Sequence, residues 1–400
     1  MNVQPLYDLT PLASLLGFGA LLAFGPLAWV YWRNRHTHPL QRLQALRLFT
    51  LYLTFDLILF GAFTRLTDSG LGCPDWPGCY GNTSPFGASH AIAAAQAAMP
   101  SGPVTQAKAW IEMIHRYLAT GVGALIVAMT VASWLSRRKN SGVDGGSFVS
   151  GLSPWWATAT LVWVCLQGAF GALTVTMKLF PAIVTLHLAG ALVLLALLCV
   201  QVVRGGATPV RRPMSAALHK SAGVAAALLA VQILLGGWVS TNYAVLACSD
   251  FPLCQNRWWP EMNFSQGFEL WRHLGVNSEG ESISFAALTA IHYAHRLMAY
   301  GVLIVLALLA WQLNRRPVWR RHSRALAALV GLQLATGLSN VVLDWPLLAA
   351  LMHTGGAAAL VLVLTWTLAS AASVAPDDSP VKASARAAAS CAPPEPGKFA

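Results

Sequence analysis

Nine stretches of about 20 almost uninterrupted apolar residues recur along the chain, at about 11–33, 44–65, 109–134, 154–176, 181–203, 216–240, 285–311, 323–343 and 347–372. Each is long enough to cross a hydrocarbon core of roughly 30 Å as a helix. The pattern predicts an all-α, polytopic membrane protein. The first stretch follows MNVQPLYDLT, which carries no lysine or arginine, and another apolar stretch comes directly after it. It therefore reads as a retained helix rather than a cleaved leader. From about 373 the chain turns to Ala, Ser, Pro and mixed charge, the composition of a disordered tail (373–400).

Composition agrees with this reading: 56% of residues are hydrophobic and 10% charged. The net charge of +11 changes the picture only through its distribution. Basic residues gather in alternate connections: Arg33, Arg35, Arg42 and Arg47; Arg137, Arg138 and Lys139; Arg204, Arg211, Arg212 and Lys220; Arg315, Arg316, Arg320, Arg321 and Arg324. This is a topology signal and calls for no nucleic-acid partner. The positive-inside rule puts these loops and the C-terminal tail in the cytoplasm and the N-terminus outside. Cys73, Cys79, Cys248 and Cys254 then fall in two long outer loops, where an oxidising compartment favours disulfides. The alternative is a pair of metal clips, but each cluster offers two thiols and no histidine at zinc spacing.

The chain also repeats itself. GAFTRLTDSGLGCPDWPGC (61–79) aligns with GGWVSTNYAVLACSDFPLC (236–254), His115-Arg116 with His295-Arg296, and Gln167, Pro181 and His187 with Gln333, Pro346 and His353. The expected architecture is two tandem four-helix bundles, 44–205 and 206–372, in a parallel 4+4 repeat. Residues 1–43 add one N-terminal transmembrane helix and a basic loop.

Histidine within a membrane span is rare and needs a partner. His115, His187, His295 and His353 all fall roughly 10 Å inside the outer ends of their helices. A lone histidine there is more often a hydrogen-bonded packing residue. Two pairs at matching positions point instead to axial ligation of haem between helices. Arg116 and Arg296 follow the first histidine of each half and suit haem propionates, with interfacial snorkelling as the alternative. Arg65 has Ser240 as its repeat mate and would serve one half only. Glu112 shares a helical face with His115, whereas the second half has His292 there. One half thus carries an acid–base group beside its candidate haem position; the competing role is a structural partner for Arg116 or a backbone group. Asp56, opposite Val231 in the repeat, is either a proton-path residue or a buried hydrogen-bonding group.

RLTDSGLGCPDWPGC (65–79), EMIHR (112–116), LHLAG (186–190), CSDFPLC (248–254), HYAHR (292–296) and MHTGG (352–356) together resemble bacterial haem A synthase of the cysteine-pair type, over about 44–372. The extra N-terminal helix and the tail depart from that family and touch none of these motifs. The resemblance implies oxidation of the haem O methyl group to the formyl group of haem A, through hydroxylated intermediates, for cytochrome oxidase assembly. It implies a haem b cofactor on His295 and His353, and a substrate site on His115 and His187 with Glu112 as the catalytic acid–base group. It implies a bridge for Cys248–Cys254, and a bridge or a redox relay for Cys73–Cys79. Partners on this reading are haem O, membrane lipid, and candidates such as haem O synthase, oxidase assembly factors or a second copy, in the bacterial inner membrane. A dihaem cytochrome b passing electrons from quinol is the main rival; it gives no reason for Glu112 in one half alone. A transporter would favour midplane polar sites, whereas the polar residues here cluster near the outer end.

Overall fold

The structure, a computed structural model, describes residues 10–140, 152–206 and 211–373. The expected tail at 373–400 falls almost wholly outside these residues. The described chain is helical: α1 (Thr10–Arg33), α2 (Pro39–Leu66), α3 (Ser89–Ala98), α4 (Gln106–Asn140), α5 (Trp155–Thr176), α6 (Pro181–Arg204), α7 (Ala216–Thr241), α8 (Phe264–Gly267), α9 (Phe285–Asn314), α10 (Arg320–Val342) and α11 (Leu347–Ser370). Among the described residues, nine helices are long and apolar enough to span a membrane, and they coincide with the nine apolar stretches to within a few residues. The helix starts carry local signals. Pro39 and Pro181 occupy first-turn positions, where the missing N–H costs nothing. Ser215 and Ser284 cap α7 and α9 by accepting from the amides of Leu218 and Ala287.

The long helices pack in two closed circuits. α2 lies against α4, α4 against α5, α5 against α6 and α6 against α2; α7, α9, α10 and α11 close in the same way. Contacts of α6 with α7 and α11, and of α2 with α11, join the circuits. The largest apolar core lies inside the first circuit around Leu125, Ile126, Met129, Leu195 and Leu198. A second fills the other circuit around Leu306, Leu309, Leu313 and Trp319. α1 stands outside the first circuit on α4, where Gly19 lets Thr120 approach so closely that a Cβ would sit 2.6 Å from its side chain.

Three elements depart from the apolar pattern. α3 and α8 lie in the long connections, and both are too short to leave a periodic signal. The last apolar stretch, expected to run to 372, ends as a helix at Ser370. Ala371–Ser373 instead pairs in parallel with Arg212–Met214. This ties the end of α11 to the entry of α7, and Trp319 donates to the Pro213 carbonyl beside it at 3.0 Å.

Candidate functional site

The connections 67–105 and 242–284 lie at one end of the helices, together with the short turns α5–α6 and α10–α11. Each long connection carries a seven-residue loop closed by a disulfide, Cys73–Cys79 and Cys248–Cys254. The metal-clip alternative falls away for these thiols, all fully buried in bridges. Both loops have one construction. The Asp75 carboxylate accepts from the amides of Tyr80 and Gly81 at 2.6 and 2.7 Å. Asp250 accepts from Gln255 and Asn256 at 2.7 and 2.8 Å. Partial burial pushes the Asp250 carboxyl upward, but the two amides and Arg296 outweigh it and hold the group below its ordinary value.

The two arginines expected near propionates hold these loops. Arg116 Nη1 donates to the carbonyls of Asp75, Pro77 and Gly78 at 3.0, 3.2 and 2.6 Å. Arg296 Nη1 donates to Asp250 and Leu253 at 3.0 and 2.6 Å, and its Nη2 to Cys248 at 3.3 Å. Each guanidinium satisfies a cluster of otherwise unpaired carbonyls, so it fastens the cysteine loop onto the helix that carries the histidine. Arg65 joins the circuits. It donates to the Ser240 carbonyl at 2.5 Å, pairs with Asp68 at 3.1 Å and lies 4.1 Å from the ring centre of Tyr243. Tyr243 in turn donates to Asp68 at 2.8 Å.

Glu112 is buried and pairs with Arg116. Its second oxygen accepts from the Cys73 amide at 2.8 Å. The carboxylate therefore links the disulfide loop to α4, one turn from His115. His292, at the matching place in α9, makes the corresponding tie through Nδ1 to the Ala244 carbonyl at 3.0 Å. Asp56 lies on the open side of α2, not buried against a neighbouring helix as one of its two expected roles required.

The four candidate ligands face four glycines that sequence reading did not single out. Gly61, Gly171, Gly236 and Gly337 each stand five residues before the end of their helix, at Leu66, Thr176, Thr241 and Val342. A Cβ on Gly61 would sit 2.9 Å from His115 Nε2, and one on Gly236 would sit 2.9 Å from His295 Cε1. Those on Gly171 and Gly337 would lie 3.3 Å from Cε1 of His187 and His353. All four imidazoles are half-buried. Glycine gives each ring room on its facing helix, at one depth in both circuits.

Polar side chains orient three of the rings. Gln167 Nε2 lies 3.0 Å from His187 Nδ1, Gln232 Nε2 3.0 Å from His295 Nδ1, and Thr336 Oγ1 3.0 Å from His353 Nδ1. The Thr336 hydroxyl donates to the Leu332 carbonyl at 2.7 Å, so toward His353 its oxygen can only accept. That fixes the proton on Nδ1 and leaves Nε2 with a free lone pair, the arrangement typical of a metal-ligating histidine. Gln333 donates to the His353 carbonyl at 2.8 Å. The glycines three residues after His187 and His353, Gly190 and Gly356, leave room for Gln167 and Gln333. This accounts for the last position of LHLAG and MHTGG. Paired imidazoles, each facing a glycine at the same depth of its circuit, fit a flat tetrapyrrole.

The chain also matches known proteins. Residues 44–365 match a family described as cytochrome oxidase assembly protein. The chain is 38% identical to a protein of Shewanella oneidensis named heme A synthase, over 79% of this chain and 92% of that protein. It is 26% identical to the heme A synthase of Brucella ovis, over 74% of this chain and 82% of that protein.

Proposed function

The chain belongs to this cytochrome oxidase assembly family, and from that premise we propose how its two halves divide the work of a haem A synthase. Such an enzyme is a membrane oxidoreductase that converts the methyl group of haem O into the formyl group of haem A. Haem O is the substrate, and the product serves oxidase assembly. The observation that carries the division is the asymmetry at the histidines: both circuits hold a glycine-faced imidazole pair, and only the first places a carboxylate, Glu112, beside it.

On this reading the circuits are tandem four-helix bundles of a parallel 4+4 repeat, 44–205 and 206–372, with α1 as an added helix. His295 and His353 hold haem b, which supplies one-electron chemistry when bound. His115 and His187 hold haem O. Written as a half-reaction, R–CH3 + H2O → R–CHO + 4 H+ + 4 e−, the conversion releases four protons, and its four electrons pass to an external oxidant. Glu112 is suited to relay the protons one at a time, since it sits one turn from His115 and reaches the loop through Cys73. Arg116, Arg296 and Arg65 bring positive charge to the loop end, where propionates would lie, while clamping the loops. Cys248–Cys254 is a structural bridge, and Cys73–Cys79, whose Cys73 amide donates to Glu112, is a bridge or a relay. The positive-inside rule, applied to the basic connections, favours a tail in the cytoplasm and cysteine loops outside the bacterial inner membrane. Haem O synthase is the proposed donor of substrate, with assembly factors or a second copy as further partners.

Pigment extraction tests the division. Purified protein should yield haem b together with haem O or A. His353→Ala should lose haem b, and His187→Ala should lose the O or A fraction while keeping haem b. Two permanently bound haems b would favour a dihaem electron carrier and overturn the proposal.

A further inference from the structure

The four candidate ligands are not held alike. His187, His295 and His353 each have Nδ1 within 3.0 Å of a polar side chain on the facing helix. His115 instead stacks on Phe60, with ring centres 6.3 Å apart and planes 9° from parallel. Among the described residues no hydrogen bond reaches its ring. For His115 the difference lies at one position. One turn before the histidine-facing glycine stand Gln167 in α5 and Gln232 in α7, which reach the rings of His187 and His295, and Gln333 in α10, which reaches the His353 carbonyl while Thr336 holds that ring; α2 has Leu57 before Gly61. Positions 57 and 61 match 232 and 236 with the same spacing as the cysteine loops, so Leu57 stands where the other half has Gln232.

A side chain at Nδ1 restricts the ring's rotation, and a glutamine that turns its Oε1 toward Nδ1–H holds the ring with Nε2 bare for ligation; losing such a partner typically costs about 10–100-fold in metal affinity. A ring held by stacking alone can turn away with few contacts to break. The second circuit needs a cofactor that stays, and both its rings are tethered. The first must admit a substrate and release a product, and one of its rings is free. We propose that His115 is the release ligand of the N-terminal tetrapyrrole site: haem O enters and haem A leaves by making and breaking the His115 bond while His187, held by Gln167, stays attached, and Leu57 keeps that exchange fast. This deepens the reading of the first circuit as the substrate site and rests on it.

The test is transfer of haem from the full-length, haem O-loaded protein to excess apomyoglobin, followed in the Soret band. Wild type should show a fast phase for the N-terminal site and a slow phase for the C-terminal one. Leu57→Gln should slow the fast phase about 10-fold and sharpen the low-spin spectrum of that site, with Leu57→Met as the volume control. Gln232→Leu should accelerate the slow phase by a similar factor and shift the haem b midpoint potential. A fast phase unchanged in Leu57→Gln overturns the proposal. Should that variant fail to fold, Gln167→Leu decides: a fast phase no faster than wild type overturns it equally. The substrate-site reading fails separately, if His187→Ala leaves the phases as they are.

Discussion

Gly236→Ala adds one methyl group where the structure leaves no space for it. The new Cβ would lie 2.9 Å from His295 Cε1, against about 3.5–4.0 Å for carbons in comfortable contact. The ring or the helix must give way by roughly 0.6 Å or more. Overpacking of this kind costs about 1–3 kcal/mol, which at about 1.4 kcal/mol per tenfold is a roughly 5- to 140-fold loss of haem affinity. The same change removes a glycine from the interior of α7, worth up to about 1 kcal/mol in the helix's favour. The helical gain offsets only part of the overpacking, so stability should fall by less than binding. Gly223, also in α7, has no atom within 4 Å of its would-be Cβ, so Gly223→Ala should show the helical gain alone. The assay is haem titration of the purified apoprotein by absorbance, alongside thermal unfolding in detergent. A Gly236→Ala protein that binds haem with wild-type affinity and an unshifted low-spin spectrum would refute the close approach of α7 to the His295 ring.

Replacing His295 or His353 should abolish the low-spin haem b spectrum, and a full, unshifted signal in either variant would remove that residue as a ligand. Glu112→Gln keeps the volume and a carbonyl for the Cys73 amide, and Arg116 keeps its three loop carbonyls. The variant should fold and retain haem b, while haem A formation falls by roughly 10²-fold and haem O or a hydroxylated intermediate builds up. Lower protein yield with normal haem A per haem b would make Glu112 a loop anchor only. Mass mapping of unreduced protein should find Cys248 linked to Cys254, and free thiols at both would contradict the loop architecture.

Much of this was legible in the chain because the signals are local. Apolar runs longer than a bilayer's thickness mark the spanning helices whatever their tertiary partners, and histidine is conspicuous inside them. The arginines after His115 and His295 were legible as charges but not as clamps, because Arg116 and Arg296 find their partners about 40 residues away, in loops whose conformation the motif does not reveal. The i, i+3 spacing puts Glu112 on the helical face of His115; its link to the Cys73 amide is another long-range contact of the same kind. The glycines were hidden for a different reason. Glycine is common in membrane helices, and only the approach of a neighbouring imidazole gives Gly61 or Gly236 a role. Gln167 and Gln333 stood out through their equal spacing to histidine, but Gln232 and Thr336 did not, since each serves a ring on another helix with no shared spacing. The strand pairing of Arg212–Met214 with Ala371–Ser373 is too short to leave any periodic mark.

The most direct test of the central claim is haem A formed per bound haem b in cells supplied with haem O, compared among wild type, His115→Ala, His187→Ala and Glu112→Gln. The account predicts that wild type makes haem A, and that all three variants retain haem b in the second bundle while haem A falls by roughly 10²-fold or more in each. Haem A output at the wild-type level in the two histidine variants, or loss of haem b together with haem A, would contradict the assignment of the first bundle to substrate and the second to cofactor.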